Sequence, residues 1–399
     1  MIFRMSSEIC LPFRVIHTLR YIALACALSV FPLFALQPLL AEAGEDLSLA
    51  PHMSGLLAAL PLAGYAAGLA TLLPLANQPR LARLFPWITM ALALTFPALA
   101  FLSSPVLLLS AAFVLATLLP VPGVLVPLMS VPARFDTVGA VLRSALIGAS
   151  LSFFASRLIG GAMSLFFPWQ TVFFLSSIAI MLCSLLAFRM PPSPQVGATH
   201  YGEDWMDMMP LLFSSKALGH AVFKGNIAFL SLCVFWGALP FYLFDTWHMG
   251  AHMAGWFGAA GLLVFAAFPL AEKTSQWKSP AWTVKLHIYL LLLAWVLLAG
   301  GFFLPELFPL GALLLVFSFF SCQKGCRIIL GEEGREHANR LLVIDHVFLC
   351  LFGAGGLALG PWSYHLAGWL GVCLTGLMCQ AFAETVQMTE SDHWDVDKW

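Results

Sequence analysis

Charge is what this sequence has least of. Only 10% of its 399 residues are Asp, Glu, Lys or Arg, against roughly a quarter in an ordinary soluble domain. So few charges cannot solvate a water-facing surface of this size. That excludes a soluble globular enzyme, a disordered chain and a nucleic-acid binder. A Gly-x-x-x-x-Gly-Lys-Ser/Thr phosphate loop is missing too, which argues against an ATP-driven pump within the chain. No nucleophile–His–Asp order and no pair of catalytic carboxylates stands out, so no enzyme activity and no cofactor are expected. A cleavable signal peptide is also absent: the first apolar run, 21–41, is long enough to span and lacks an Ala-x-Ala exit. The nine cysteines are an odd number and mostly sit in apolar runs, as at Cys26, Cys183, Cys233, Cys350, Cys373 and Cys379. That is buried packing rather than a secreted disulfide framework.

What is there is apolar. Hydrophobic residues make up 60% of the chain, and mean hydropathy is +0.89. A spanning helix needs about 20 mostly apolar residues. Spans read near 19–41, 53–75, 85–103, 106–131, 138–165, 168–189, 217–244, 253–272, 282–301, 306–330, 339–361 and 364–385, with short hinges at Ser103-Ser104-Pro105 and around Pro361. The expectation is an all-α membrane protein of twelve transmembrane helices. The one long polar break falls centrally, so two six-helix bundles are expected at 1–190 and 216–386. A linker, 191–215, joins them, and a loose acidic tail, 387–399, follows. Within the linker, 201–212 with Trp205 suits a short interfacial helix.

The basic residues test this count. With the N-terminus in the cytoplasm, every Lys and Arg except Arg157 falls on the inner side, among them Arg80, Arg83, Arg134, Lys216, Lys224, Lys324 and Arg327. The outer loops hold Glu42, Glu45, Asp46, Asp245 and Glu306 instead. Such asymmetry places both termini in the cytoplasm.

Several stretches carry a resemblance. Span 1 ends in Gln37-Pro38-Leu39-Leu40. Span 2 reads Gly64-Tyr65-Ala66-Ala67-Gly68-Leu69 and runs into Leu73-Pro74-Leu75-Ala76-Asn77-Gln78. Span 7 holds Phe235-Trp236-Gly237-Ala238-Leu239-Pro240-Phe241, and span 11 holds Gly353-Ala354-Gly355-Gly356. With the architecture, these resemble the major facilitator superfamily of secondary transporters, in particular its bacterial efflux-type members. The resemblance implies an inner-membrane transporter of a small molecule, working by alternating access in the lipid bilayer, with protons as a candidate coupling ion. No partner chain is demanded, and a monomer is expected. The family's loop motif, Gly-x-x-x-Asp-Arg-x-x-Arg-Arg, is altered. Asn77 stands at its Asp and Gln78 at its Arg, while Arg80 and Arg83 keep the loop basic off the motif's spacing. A weaker inner latch follows. The helix-5 antiport motif Gly-Pro-x-x-Gly-Gly keeps Gly160 and Gly161 but has Ser156 and Arg157 at Gly-Pro.

Arg157 is the sharpest single signal. A guanidinium in hydrocarbon costs at least about 2.5–3.5 kcal/mol. It must bind an anionic or polar substrate in a cavity, or else snorkel outward or pair with an outer acid such as Glu42. Asp345 is the second signal, about a turn inside span 11. A buried carboxylate can exchange a proton near neutral pH; alternatively, an ion pair to Lys324 or Arg327 makes it a structural latch. His346, its sequence neighbour, points about 100° away on a helix. Gln37, Asn226, Trp236 and Gln323 sit on helices that line the cavity in the family and are candidate substrate contacts. Lys224 and Lys324 are placed at the inner mouth. Ser144, Ser150, Ser152 and Ser156 in span 5 read as packing or as ligands. The loop Asp245-Thr246-Trp247-His248-Met249-Gly250-Ala251-His252 and the pair Cys322 and Cys326 each allow a metal reading beside the bland one, and no metal is expected.

The leading reading is therefore export of an amphipathic or anionic compound, with antiport and proton coupling left open. Transport of a siderophore or other metal chelate is the runner-up. A non-transporting sensor or assembly factor on a decayed transporter fold is the reading of another class.

Overall fold

The computed structural model describes residues 13–72, 83–125, 135–189, 215–334 and 338–388, with the backbone alone at 13–18, 51–52, 135–143, 333, 339–340 and 386–388. Asn77, Gln78, Arg80, Arg134, the interfacial segment 201–212, nearly all of the linker and the tail beyond Met388 lie outside the described residues. All regular structure among the described residues is helical. The helices are α1 (Phe13–Phe34), α2 (Leu40–Asp46), α3 (Pro51–Ser54), α4 (Leu56–Leu72), α5 (Phe85–Thr95), α6 (Pro105–Ala116), α7 (Phe135–Met163), α8 (Thr171–Phe188), α9 (Lys216–Trp247), α10 (Ala251–Trp256), α11 (Val264–Trp277), α12 (Pro280–Gly300), α13 (Leu307–Gly334) and α14 (Ala338–Met388).

Nine helical stretches among the described residues are long and apolar enough to cross a bilayer, and two apolar helices, Leu56–Leu72 and Phe85–Phe101, are shorter. This is a multi-pass membrane protein. The count departs from the twelve separate spans expected, for identifiable reasons. The residues that follow α4 lie outside the described set, and α5 gives way to a 3-10 turn at Phe96–Phe101. The last two expected spans form one element, α14, of 51 residues. Straight, it would run about 75 Å, against a hydrocarbon core of roughly 30 Å.

It is not straight. The backbone leaves helical geometry at Ala367 (φ −144°) and Gly368 (φ 60°). The hinge expected around Pro361 is thus displaced. Helix continues through Pro361 and breaks where a glycine can take positive φ without a Cβ penalty. Prolines inside α1, α4, α9 and α11 are likewise tolerated, because neighbouring groups in a membrane bundle resatisfy the freed carbonyls.

Small residues set the helix approaches, as expected where lipid supplies no hydrophobic drive between helices. A Cβ at Gly64 or Gly68 of α4 would land on the Phe113 or Thr117 carbonyl of α6. Gly148 and Gly160 bring α7 onto the backbone of α1 at Ala23 and Ala35. Gly356 and Gly360 do the same for α14 against α9 at Leu230 and Val234. Two serines of α7 are satisfied within it, Ser156 Oγ donating to the Ser152 carbonyl at 2.6 Å and Ser150 Oγ to the Leu146 carbonyl at 2.8 Å.

Helices from before and after the central break meet backbone to backbone at the end that holds Asp46 and Asp245. Gly161 of α7 faces Ala251 and Gly255 of α10, and Gly55 faces Leu357 and Pro361 of α14. At that end Asp46 accepts from Trp169 Nε1 at 2.9 Å and Gln170 Nε2 at 3.0 Å, tying α2 to the start of α8.

Deep in the later helices, Trp295 is fully buried and its Nε1 donates to Ser231 Oγ at 2.7 Å, while its ring fills the space above Gly376. Trp295→Phe leaves that hydroxyl without its donor. A loss of about 1–3 kcal/mol is expected, measured as a lower midpoint of thermal unfolding in detergent.

Candidate functional site

The site begins where α1 stops. Pro38 opens the 3-10 turn Gln37–Leu39, and its missing N–H and fixed φ end the α-helical ladder there. The turn buries Gln37, which is 1% exposed. Opposite, α7 carries Phe153 and Arg157 four residues apart, hence on one face.

Arg157 is 0% exposed. Its Nη2 donates to Gln37 Oε1. Its guanidinium carbon lies 3.8 Å from the Phe153 ring centroid, 4.5 Å from Trp236 and 4.8 Å from Phe34. Three π-faces around one cation, away from water, are each worth roughly 1–2 kcal/mol, which offsets part of the cost of burial. The outward-snorkelling reading and the pairing with Glu42 both fail. The side chain is wholly enclosed, and among the described residues it makes no ion pair with Glu42 within 4.0 Å. The reason is local: Phe153, Trp236 and Phe34 hold the guanidinium inward where Gln37 already offers an acceptor.

The polar atoms left over here are all donors. Arg157 Nε and Nη1, Gln37 Nε2 and Trp236 Nε1 are buried with no hydrogen-bond partner. Among the described residues, no unpaired side-chain acceptor accompanies them in the cage.

Beyond Phe34 and Phe153 opens a cavity between the earlier and later helices. Six aromatic side chains line it: Phe34, Tyr65, Phe153, Phe229, Phe319 and Phe320. Its far end is polar, with Ser150, Gln323, Arg327, His346 and Cys350. The free volume is about 70 Å³, the share of roughly two waters. The cavity is thus narrow in this conformation.

Behind the polar end lies Asp345, 6% exposed, accepting from Asn226 Nδ2 at 3.3 Å. The expected ion pair to Lys324 is not formed. Lys324 Nζ lies 3.2 Å from Glu272 of α11 instead. The position on α13 that faces α11 is turned away from α14. Arg327 is near enough for its charge to act on Asp345, but among the described residues it makes no ion pair within 4.0 Å. Gln323 Nε2 donates to the Gly225 carbonyl at 2.7 Å, joining α13 to α9.

Two cavity residues escaped the sequence reading. The Tyr65 ring meets His346 edge-on at 6.4 Å, and His346 Nε2 lies 4.0 Å from Cys350 Sγ. The Tyr65 hydroxyl and His346 Nδ1 are both buried and unpaired. The sequence names Tyr65 only within a span 2 motif and His346 only as the neighbour of Asp345, because their pairing joins helices far apart in sequence. Arg83 is exposed on the turn before α5 and joins none of these groups. The tail expected to be loose from Glu384 is helical to Met388, and Glu384 is buried and accepts from Tyr289 Oη at 3.0 Å. His248, in the left-handed region (φ 53°), caps α9, and no three metal-ligating side chains gather among the described residues.

No family model matches the chain. Two curated Escherichia coli proteins, the uncharacterized transporter YgaY of O157:H7 and its K12 counterpart, are each 25% identical over 264 residues, 64% of this chain. The match spans 66% of those relatives' length, just short of two thirds. The solved structure of nucleoside transporter NupG superposes with a TM-score of 0.68 at 12% identity, over 93% of this chain and 99% of its own. A bacterial homologue of the human lysosomal transporter Spinster, inward-facing and unoccupied, gives 0.68 at 13% identity, over 96% and 95%. The fold is that of the major facilitator superfamily. In this major facilitator fold the Arg157 cage and the cavity below it lie where the two sets of helices face each other.

Proposed function

We propose that this chain is a secondary transporter that moves an anionic or amphipathic small molecule out across the bacterial inner membrane by alternating access. Twelve crossings in two halves, 1–190 and 216–386, with both termini in the cytoplasm, give the arrangement two rocking bundles require. The one-sided placement of Lys and Arg supports that orientation. Export follows the efflux-type character of spans 1, 2, 7 and 11.

The observation that carries the reading is the donor-only cage. Four unpaired, buried donor atoms, two of the guanidinium itself and one each of Gln37 and Trp236, are expensive to maintain. An anion entering as the cavity opens is the chemistry that satisfies them, and a planar carboxylate fits the guanidinium fork. Arg157, Gln37 and Trp236 are the contacts at this pole. Asn226 and Gln323 belong to the other end, where Gln323 lines the wall and Asn226 holds Asp345.

The test is growth of an efflux-deficient bacterium across a panel of toxic organic acids, amphipathic compounds and metal chelators. Protection by the wild-type chain against acids, lost in Arg157→Ala at equal membrane levels, is the expected result. Protection against chelators alone turns the reading to metal chelates, and protection against nothing removes export.

Asp345 is the coupling candidate. In proteoliposomes, an imposed proton gradient is expected to drive wild-type transport and to fail with Asp345→Asn, while exchange of labelled for unlabelled cargo persists. Loss of both activities would make Asp345 a gate rather than a proton site.

A further inference from the structure

Two polar clusters flank the cavity, the Arg157 cage behind Phe34 and Phe153 and a second one that lines the far end, and the second narrows the class of cargo. This inference rests on the anion reading of the Arg157 pole. At the far end, the Tyr65 hydroxyl and His346 Nδ1 are buried and unpaired, and both line the cavity together with Arg327. A hydroxyl of Tyr and a ring nitrogen of His can each donate or accept. They match a group that does both at once. Asp345, behind this end, already supplies one carboxylate whose charge and that of Arg327 act on each other, so a second carboxylate there is disfavoured. An ammonium is disfavoured by Arg327 itself. A hydroxyl fits.

Between the poles the wall is rings. Phe320 stands beside the Arg157 cage through Phe154, at 5.4 Å between centroids, and Phe154 lies 6.0 Å from Trp236. From Phe320 to Arg327 the same helix rises about 10 Å. Phe229 and Phe319 lie along this stretch with centroids 5.4 Å apart and planes tilted by 32°, offering ring faces to a flat guest.

We infer that the cargo is a hydroxylated aromatic acid, with its carboxylate at Arg157 and Gln37, its ring among the phenylalanines and its hydroxyl at Tyr65 and His346. Para-hydroxycinnamate carries its carboxylate and its hydroxyl at opposite ends of one flat frame and is the probe of this class.

The experiment is equilibrium binding to the purified full-length chain in nanodiscs. Four probes are compared: para-hydroxycinnamate, cinnamate, para-hydroxycinnamamide and para-carboxycinnamate. The hydroxy acid should bind tightest, and cinnamate about tenfold more weakly for want of one buried hydrogen bond. Tyr65→Phe and His346→Asn should erase that preference yet keep cinnamate binding, which shows that each variant is folded. Equal binding of the two acids, a preference that survives both substitutions, or tighter binding of the dicarboxylate overturns the hydroxyl assignment. Binding of none of the four overturns it as well, and Arg157-dependent protection against non-aromatic acids would then leave the transport reading standing. The amide separates the two claims: if it binds as tightly as the acid, the anion pole itself is wrong.

Discussion

Arg157→Ala is expected to abolish transport without costing the protein its stability, and Arg157→Lys is expected not to restore it. The first half follows from where the energy goes. Burying the guanidinium costs at least about 2.5–3.5 kcal/mol on insertion scales, only partly offset by three aromatic faces and one hydrogen bond to Gln37. Removing the charge removes that cost, so the unfolding midpoint should hold or rise. A charge-assisted hydrogen bond to cargo is worth roughly 1.5–3 kcal/mol, so affinity for an anionic cargo should fall about tenfold to a hundredfold. The second half follows from shape. Lysine keeps the charge but offers a compact, strongly hydrated ammonium with no planar face to lie on Phe153 and no fork for a carboxylate. Arg157→Met is the packing control and should behave like Ala. Transport that survives in Arg157→Ala, or a midpoint that drops by many degrees, would make Arg157 a structural strut instead.

Arg157 stood out because one cation interrupts an apolar run, and Gln37 and Trp236 because the family resemblance puts their helices at the cavity. The cage that holds them did not. With 34 phenylalanines in the chain, nothing local tells Phe34 and Phe153, which face a guanidinium, from those that face lipid. The partner of Lys324 was misread for a related reason. Depth along a helix is readable from sequence, but azimuth relative to a neighbouring helix is not, and azimuth gave Lys324 to Glu272 rather than Asp345. His346 shows the converse. Its direction away from Asp345 follows from the helical period alone, while the ring it meets, Tyr65, lies across the cavity and is set by tertiary packing. The all-helical, multi-pass character needed only composition. The break in α14 needed more, since Pro361 and Gly368 are both candidate hinges and only the tolerance of bundles for proline decides between them.

Gly255→Val should stop the transport cycle with the Asp46 end held open. A Cβ at Gly255 would sit 2.7 Å from the Arg157 carbonyl and 2.9 Å from Gly161 Cα, both backbone atoms that cannot step aside. The reciprocal position agrees: a Cβ at Gly161 would be 2.8 Å from the Ala251 carbonyl and from Gly255 Cα. On the proposed alternating-access reading, this contact between α7 and α10 forms in one half of the cycle and parts in the other. A wedge there penalises only the closed half. Overpacking costs about 1–3 kcal/mol, enough to shift the balance of the two states by roughly five- to 150-fold. Because the backbone of Arg157 is itself one wall of the contact, closure at this end and placement of the guanidinium are set by the same few residues. Spin labels at Ser48 and His248 should report longer separations in Gly255→Val than in wild type, with transport falling in step. Gly331→Ala is the matched control, since a Cβ there meets nothing within 4 Å, and it should leave both unchanged. Unchanged distances and transport in Gly255→Val would mean that the α7–α10 contact does not close during the cycle, and that the cage around Arg157 is gated from elsewhere.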